Sequence, residues 1–226
     1  MKIGILTLPL HINYGGYLQA FALKSILLEH GNEVYLIENK NLYGNLLKRG
    51  LRQIKDSFSL LLFYLGKKNK EAEFILKEKK ISIFKDNYMC PIVDISNSKT
   101  LNDLDIVIVG SDQVWRPWKG LCRNSLYFFL DFIKSTKTKK ISYAASFGID
   151  KWEYNPVETI QIKKLLQDFS IISVREDDGV SLLQDNLGLP SIRMCDPTLL
   201  LTKNDYLSTL RIHHPDNDRI SSYILD

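Results

Sequence analysis

Gly110-Ser111-Asp112-Gln113, followed by Val114 and Trp115, stands directly after the apolar run Asp105-Ile106-Val107-Ile108-Val109. The run is short and β-branched, which predicts a strand buried on both faces. In an open α/β sheet, ligands bind beyond the carboxyl ends of the strands. A hydroxyl, a carboxylate and an amide placed there can each hydrogen-bond a hydroxyl-rich ligand, and the indole of Trp115 could stack on a sugar face. The same residues also suit a plain turn, with Asp112 capping a helix and Trp115 packed in the core.

Arg175 is the second candidate. It closes the predicted strand Ile171–Val174 and precedes a predicted helix at Asp177. A guanidinium there can hold phosphate or carboxylate through paired hydrogen bonds, beside the positive end of the helix. It can equally well pair with Glu176, Asp177 or Asp178 at a strand end. Gly15 and Gly16 follow the first strand and let backbone approach a ligand closely, or simply form a tight turn. Asn13 and Gln19 flank them as polar contacts, Asn13 also being a suitable helix cap. Ser146 and Gly148 terminate another strand and line the same expected crevice. No G-x-G-x-x-G accompanies any of them, so a dinucleotide fingerprint is not supported. None of the four histidines (His11, His30, His213, His214) is well placed to act as a general acid.

The elements that must position these groups alternate between strand and helix. Strands are expected at Lys2–Leu8, Glu33–Ile37, Ile106–Val109, Lys140–Ala145, Ile171–Val174 and Ile192–Cys195. Helices are expected at Tyr17–Glu29, at 47–65, at Lys70–Lys85, from Pro156 through Phe169, and at Asp177–Leu187 before Gly188. That alternation implies an α/β fold, with a mostly parallel sheet flanked by helices. His213–Arg219 has the composition of a linker, and Ile220–Leu225 that of a further strand.

Composition narrows the class. A hydrophobic fraction of 45% with 25% charged residues is that of an ordinary globular protein. A net charge of +4 is too mild to point to nucleic acid. Cys90, Cys122 and Cys195 are dispersed, which argues against a disulfide framework or a zinc site and for a reducing cytosol. The first strand lacks the features of a signal peptide, and Leu60–Leu65 is far too short to span a bilayer. The expected location is cytoplasmic, with no metal.

Five segments now stand in order: Asn13-Tyr14-Gly15-Gly16-Tyr17-Leu18-Gln19-Ala20, Gly110-Ser111-Asp112-Gln113-Val114-Trp115, Tyr143-Ala144-Ala145-Ser146-Phe147-Gly148, Ser173-Val174-Arg175-Glu176, and Asp196-Pro197-Thr198-Leu199-Leu200. Together they resemble the polysaccharide pyruvyl transferase family over residues 1 to about 200. Arg116-Pro117 departs from the family pattern, where Asn is common, and is expected to reshape that loop. The resemblance implies a Rossmann-like N-terminal lobe (1–205) of a glycosyltransferase-B-like fold. Residues 206–226 would then be a linker and the first strand of a second lobe that is absent. It further implies transfer of a pyruvyl group from phosphoenolpyruvate, acting as donor substrate with no other cofactor, onto two hydroxyls of one sugar to form a cyclic ketal. Arg175 is the donor-binding, catalytic arginine on that resemblance. In relatives the acid-base histidine lies in the second lobe, so this polypeptide alone is expected to have little or no activity.

The acceptor would be a glycan or a lipid-linked sugar. The basic stretch 44–85, with Lys48, Arg49, Arg52, Lys55 and others, would suit contact with an anionic membrane surface at the inner membrane, although a solvated outer helix face gives the same pattern. Two other functions fit a shared architecture: a glycosyltransferase using a nucleotide sugar, and a non-catalytic sugar-binding remnant.

Overall fold

A computed structural model describes residues 1–10, 13–39, 70–89, 91–117 and 126–211. The expected helix 47–65, the linker 213–219, the strand 220–225, and His11, His213, His214, Cys90 and Cys122 lie outside the described residues.

Strand β1 (Lys2–Leu6) leads into helix α1 (Tyr14–Glu29) and strand β2 (Glu33–Glu38). Helix α2 (Lys70–Phe84) and a π-turn, Lys85–Met89, come before β3 (Ile92–Asp94), the short α3 (Ser98–Asn102) and β4 (Ile106–Val109). Then come β5 (Lys139–Ser142), α4 (Pro156–Leu166), β6 (Phe169–Ile171), β7 (Ser173–Val174), α5 (Asp177–Leu187), β8 (Ile192–Arg193) and α6 (Lys203–Thr209).

Six strands form one sheet in the order β3-β2-β1-β4-β5-β6, and every pairing in it is parallel. This is the strand order of Rossmann-like sheets, so the expected α/β class is what the chain adopts. The order reverses between β1 and β4. The loops after these two strands therefore open at the switch point, where such sheets leave a crevice.

Alternation along the strands sends side chains to two cores. Ile3, Ile5 and Ile108 pack with Phe21, Leu23, Ile81 and Met89 on one face. Leu6, Val107 and Val109 pack with Trp115, Phe129, Ile162 and Leu183 on the other. Helix α1 is covered nearly all round in its first half, from Gly16 to Lys24 apart from Leu18. On α2, Ile81 is buried while Lys77, Lys79 and Lys80 face solvent, the pattern of a solvated outer face.

The structure departs from expectation in places with identifiable causes. Helix α1 starts at Tyr14, not Tyr17, because Asn13 caps it by accepting a hydrogen bond from Gly16 N (3.2 Å). Gly15 and Gly16 are thus inside the first turn and not in a positive-φ turn before it. The expected strand 171–174 divides into two. Phe169–Ile171 joins the main sheet on β5, whereas Ser173–Val174 pairs with β8 in a separate two-stranded sheet tied back through Ala145–Val174. Helix α6 runs through position 205, and Tyr206 and Leu210 pack beside the Phe21 core. No helix among the described residues is long and apolar enough to cross a membrane.

Candidate functional site

Gly110 sets the geometry at the end of β4. Its φ is +135°, and a Cβ there would lie 2.1 Å from the backbone oxygen of Tyr143. Only glycine permits that approach. The loop that follows is held by Gln19, which is buried on α1. The Gln19 amide donates to Thr7 Oγ1 (2.8 Å) and Gly16 O (2.9 Å), and its oxygen accepts from Ser111 N (2.9 Å) and Ser111 Oγ (2.8 Å). One side chain thus ties β1, α1 and the β4 loop together.

Four expected ligand contacts are therefore corrected. Gln19 and Ser111 are buried, and they spend their hydrogen bonds on each other and on neighbouring protein groups. Trp115 is fully buried, stacked on Phe129 at 5.5 Å and 11°, with Nε1 donating to Phe128 O at 3.1 Å. Its indole is core and offers no sugar platform. Ser146 is also fully buried, donating to Glu176 Oε1 (3.0 Å) and accepting from Gly148 N (2.9 Å). Each of these residues shapes the crevice from beneath. Replacing Gln19 with Leu is expected to cost about 2–3 kcal/mol, because it strands several buried donors and acceptors at once; urea denaturation of the variant checks this.

Of the remaining candidates, Gly16 and Gly110 are buried as well, whereas Asn13, Gly15, Asp112, Gln113 and Gly148 stay accessible. Asn13 and Gly15 are exposed at the start of α1, while Asp112 is half-buried with Oδ2 about 3.6 Å from where a Cβ on Gly16 would lie. The β1 and β4 loops thus meet at the switch point. Gln113 packs directly on Gly148, whose φ of +68° keeps the position bare: a Cβ there would lie 2.5 Å from Gln113 Cδ.

Arg175 emerges at the same rim. Its backbone N donates to Ala145 O (3.1 Å), and Ser146 N donates in turn to Asp112 O (3.2 Å), so three loops are stitched side by side. Gln113, Gly148, Asp150, Arg175, Glu176 and Asp178 line a cleft of about 270 Å³. The guanidinium is 29% exposed, with Nε on Glu176 Oε1 at 2.7 Å and Nη1 on Asp196 Oδ2 at 3.3 Å. Burial works against its charge, but the hydrogen bonds and attraction of Glu176, then of Asp196, outweigh burial and raise the pKa further above its ordinary value. Arg175 is cationic at every working pH. Glu176 Oε1 accepts from both Arg175 and Ser146, which fixes the guanidinium against the Ser146 loop. Nη2 has no hydrogen-bond partner among the described residues, so one edge of the fork is open to a ligand.

Sequence reasoning did not find all of this. Asp196, named above only as part of the fifth segment, is an ion-pair partner of Arg175 and also caps the following turn through Thr198. Arg116 donates to Gln113 Oε1 at 3.2 Å, bringing a second guanidinium to the edge of the cleft. The Tyr143 phenol lies close to Cys195 and Asp196; burial first, and then those neighbours, push its pKa up to about 12, so it stays protonated near neutrality. A carboxylate some twenty residues from its arginine leaves no local pattern to detect. His30, the sole histidine among the described residues, sits at the far end of α1, about 24 Å along the helix axis from the crevice.

Comparison with known proteins follows the same line. The sequence pattern of the polysaccharide pyruvyl transferase family matches residues 13–226. No curated protein matches. Among solved structures, the chain is similar to an alpha-glucosyltransferase determined in complex with UDP and a 13-mer DNA containing a HMU base, at 14% identity and a TM-score of 0.39. That match covers 85% of this chain, which spans 41% of the length of the glucosyltransferase.

Proposed function

Because the chain belongs to the polysaccharide pyruvyl transferase family, we propose that its switch-point crevice binds phosphoenolpyruvate and presents it to a glycan or lipid-linked sugar acceptor. The observation that carries this reading is Arg175, a permanently charged, partly exposed guanidinium on one rim with Gln113 and Gly148. It is the residue type that recognises a planar carboxylate or a phosphoryl group through paired donors.

The reaction makes balanced demands. The methylene carbon of the donor takes up one proton and becomes a methyl group. Two acceptor hydroxyls add to the central carbon, and each loses its proton. The phosphate leaves with its bonding pair, carrying off the second proton. Arg175 stabilises the donor's negative charge, and the accessible Asn13, Asp112 and Gln113 suit the acceptor hydroxyls. Glu176 and Asp196 hold the guanidinium and also offset its charge. Peripheral membrane contact through 44–85 belongs to the same proposal on the basic composition of that stretch alone, since the exposed Lys77, Lys79 and Lys80 fit a solvated face equally well.

Thermal denaturation tests the donor. Phosphoenolpyruvate at about ten times its Kd should stabilise the protein by about 1.4 kcal/mol by mass action, with little effect from UDP-sugars. The opposite ranking would favour a nucleotide-sugar glycosyltransferase.

A further inference from the structure

The turn from Gln113 to Arg116 stands at the edge of the Arg175 cleft. Val114 and Trp115 are buried, and Trp115 N donates to Ser146 O at 3.0 Å, so the turn is pinned from beneath. Arg116 N donates back to Gln113 O at 3.2 Å and closes it. The closure brings the two flanking side chains together, both of them partly exposed. Arg116 Nη1 then reaches Gln113 Oε1 at 3.2 Å.

That contact decides which way the Gln113 amide faces. An amide has an accepting oxygen at one end and two donating N–H groups at the other, and the two ends can exchange by a flip. A guanidinium has donors only. The Gln113 atom against Arg116 must therefore be the oxygen, since the flipped amide would set N–H against N–H. Gly148 gives the amide its seat: a Cβ there would lie 2.5 Å from Gln113 Cδ and 2.6 Å from Oε1. With the oxygen turned to Arg116, the end of Gln113 left for the cleft it lines is the donating one. A hydroxyl that gives up its proton needs an acceptor beside it, which an amide fixed in this way is not. The half-buried Asp112 can serve there. Gln113 instead complements a group that only accepts.

We propose that Arg116 is a positioning residue: it fixes the Gln113 amide as a hydrogen-bond donor, so that Gln113 and the open edge of Arg175 both donate to oxygens of the anionic donor. This rests on the proposed binding of phosphoenolpyruvate, and it narrows the part that Gln113 plays there.

The test is the Kd for phosphoenolpyruvate, measured by calorimetry on the parent and four variants. Arg116→Met keeps the methylenes, removes the donor, and should raise Kd about fivefold. Arg116→Lys keeps a donor for Oε1 and should stay within about twofold of the parent. Gln113→Met should weaken binding as much as Arg116→Met does, and the double variant should be no weaker than either. Additive losses in the double variant would show that Arg116 acts on the ligand directly, and they overturn the proposal. An Arg116→Lys variant as impaired as Arg116→Met, or an Arg116→Met variant that binds normally, overturns it too. Should Arg116→Met not fold, nuclear magnetic resonance of the parent decides: saturating phosphoenolpyruvate should shift the Gln113 side-chain amide protons, and unmoved resonances overturn the proposal. A parent that does not bind phosphoenolpyruvate is a different failure, which overturns the proposed function and this inference with it.

Discussion

Arg175→Lys is expected to lower kcat/KM for pyruvyl transfer by about 10²–10³-fold, equivalent to about 2.7–4 kcal/mol of lost transition-state stabilisation. Lysine keeps the charge but loses the planar fork. In the structure that fork is divided, with Nε on Glu176, Nη1 on Asp196 and the Nη2 edge open. A single ammonium cannot hold two carboxylates and also present a flat pair of donors to a ligand. Stability should change by no more than about 1 kcal/mol, since the guanidinium is partly exposed and its charge is conserved. The measurement is steady-state kinetics of the full enzyme together with thermal denaturation of the same preparation. A variant with near-normal kcat/KM would remove Arg175 from donor binding, and a variant that unfolds would make its role structural.

Gly110→Ala should give the largest loss of stability, about 4 kcal/mol or a fall in Tm of about 10 °C. Two independent penalties act there. The φ of +135° lies in a region that side-chain-bearing residues rarely adopt, and the new methyl would sit 2.1 Å from the Tyr143 carbonyl oxygen. That oxygen belongs to backbone, in a segment anchored by Tyr143 N on Val109 O (3.0 Å) and by Ala144 N on Ser173 Oγ (3.0 Å), so it cannot move aside cheaply. The only relief is to part the β4 loop from the β5 loop, which is the seam holding Asp112 and Gln113 next to Arg175. Chemical denaturation and ligand binding should therefore fail together. A variant within about 2 °C of the parent would mean that the seam yields easily and does not define the crevice.

Gly110 also shows which parts of the site were legible in the sequence. The run Asp105–Val109 is apolar, β-branched and closed by glycine, and that pattern has one good solution, a central strand with a functional or structural turn at its end. The α/β class with a mostly parallel sheet followed from the strand–helix alternation for the same reason. Trp115 was not decidable, because an aromatic after a turn has the same sequence signature whether it stacks on a ligand or, as here, on Phe129. Gln19 and Ser111 are polar residues on loop-facing positions, and nothing local distinguishes a ligand contact from a buried latch formed across |i−j| = 92. Ile171–Val174 has a continuous apolar pattern although its two halves pair in different sheets. Strand β3 and helix α3, of three and five residues, are too short for periodicity to register. What escaped the sequence was mostly long-range pairing: Asp196 with Arg175 and Glu176 with Ser146.

The central claim is that the Arg175 guanidinium, on the rim it shares with Gln113 and Gly148, receives the anionic donor. A crystal structure with phosphoenolpyruvate tests it most directly. The account predicts a carboxylate or phosphoryl group within hydrogen-bond distance of Arg175, in the cleft beside Gln113 and Gly148, with Trp115 and Ser111 still buried beneath it. A donor bound away from this rim, with Arg175 still held by Glu176 and Asp196 and touching no ligand atom, would contradict it.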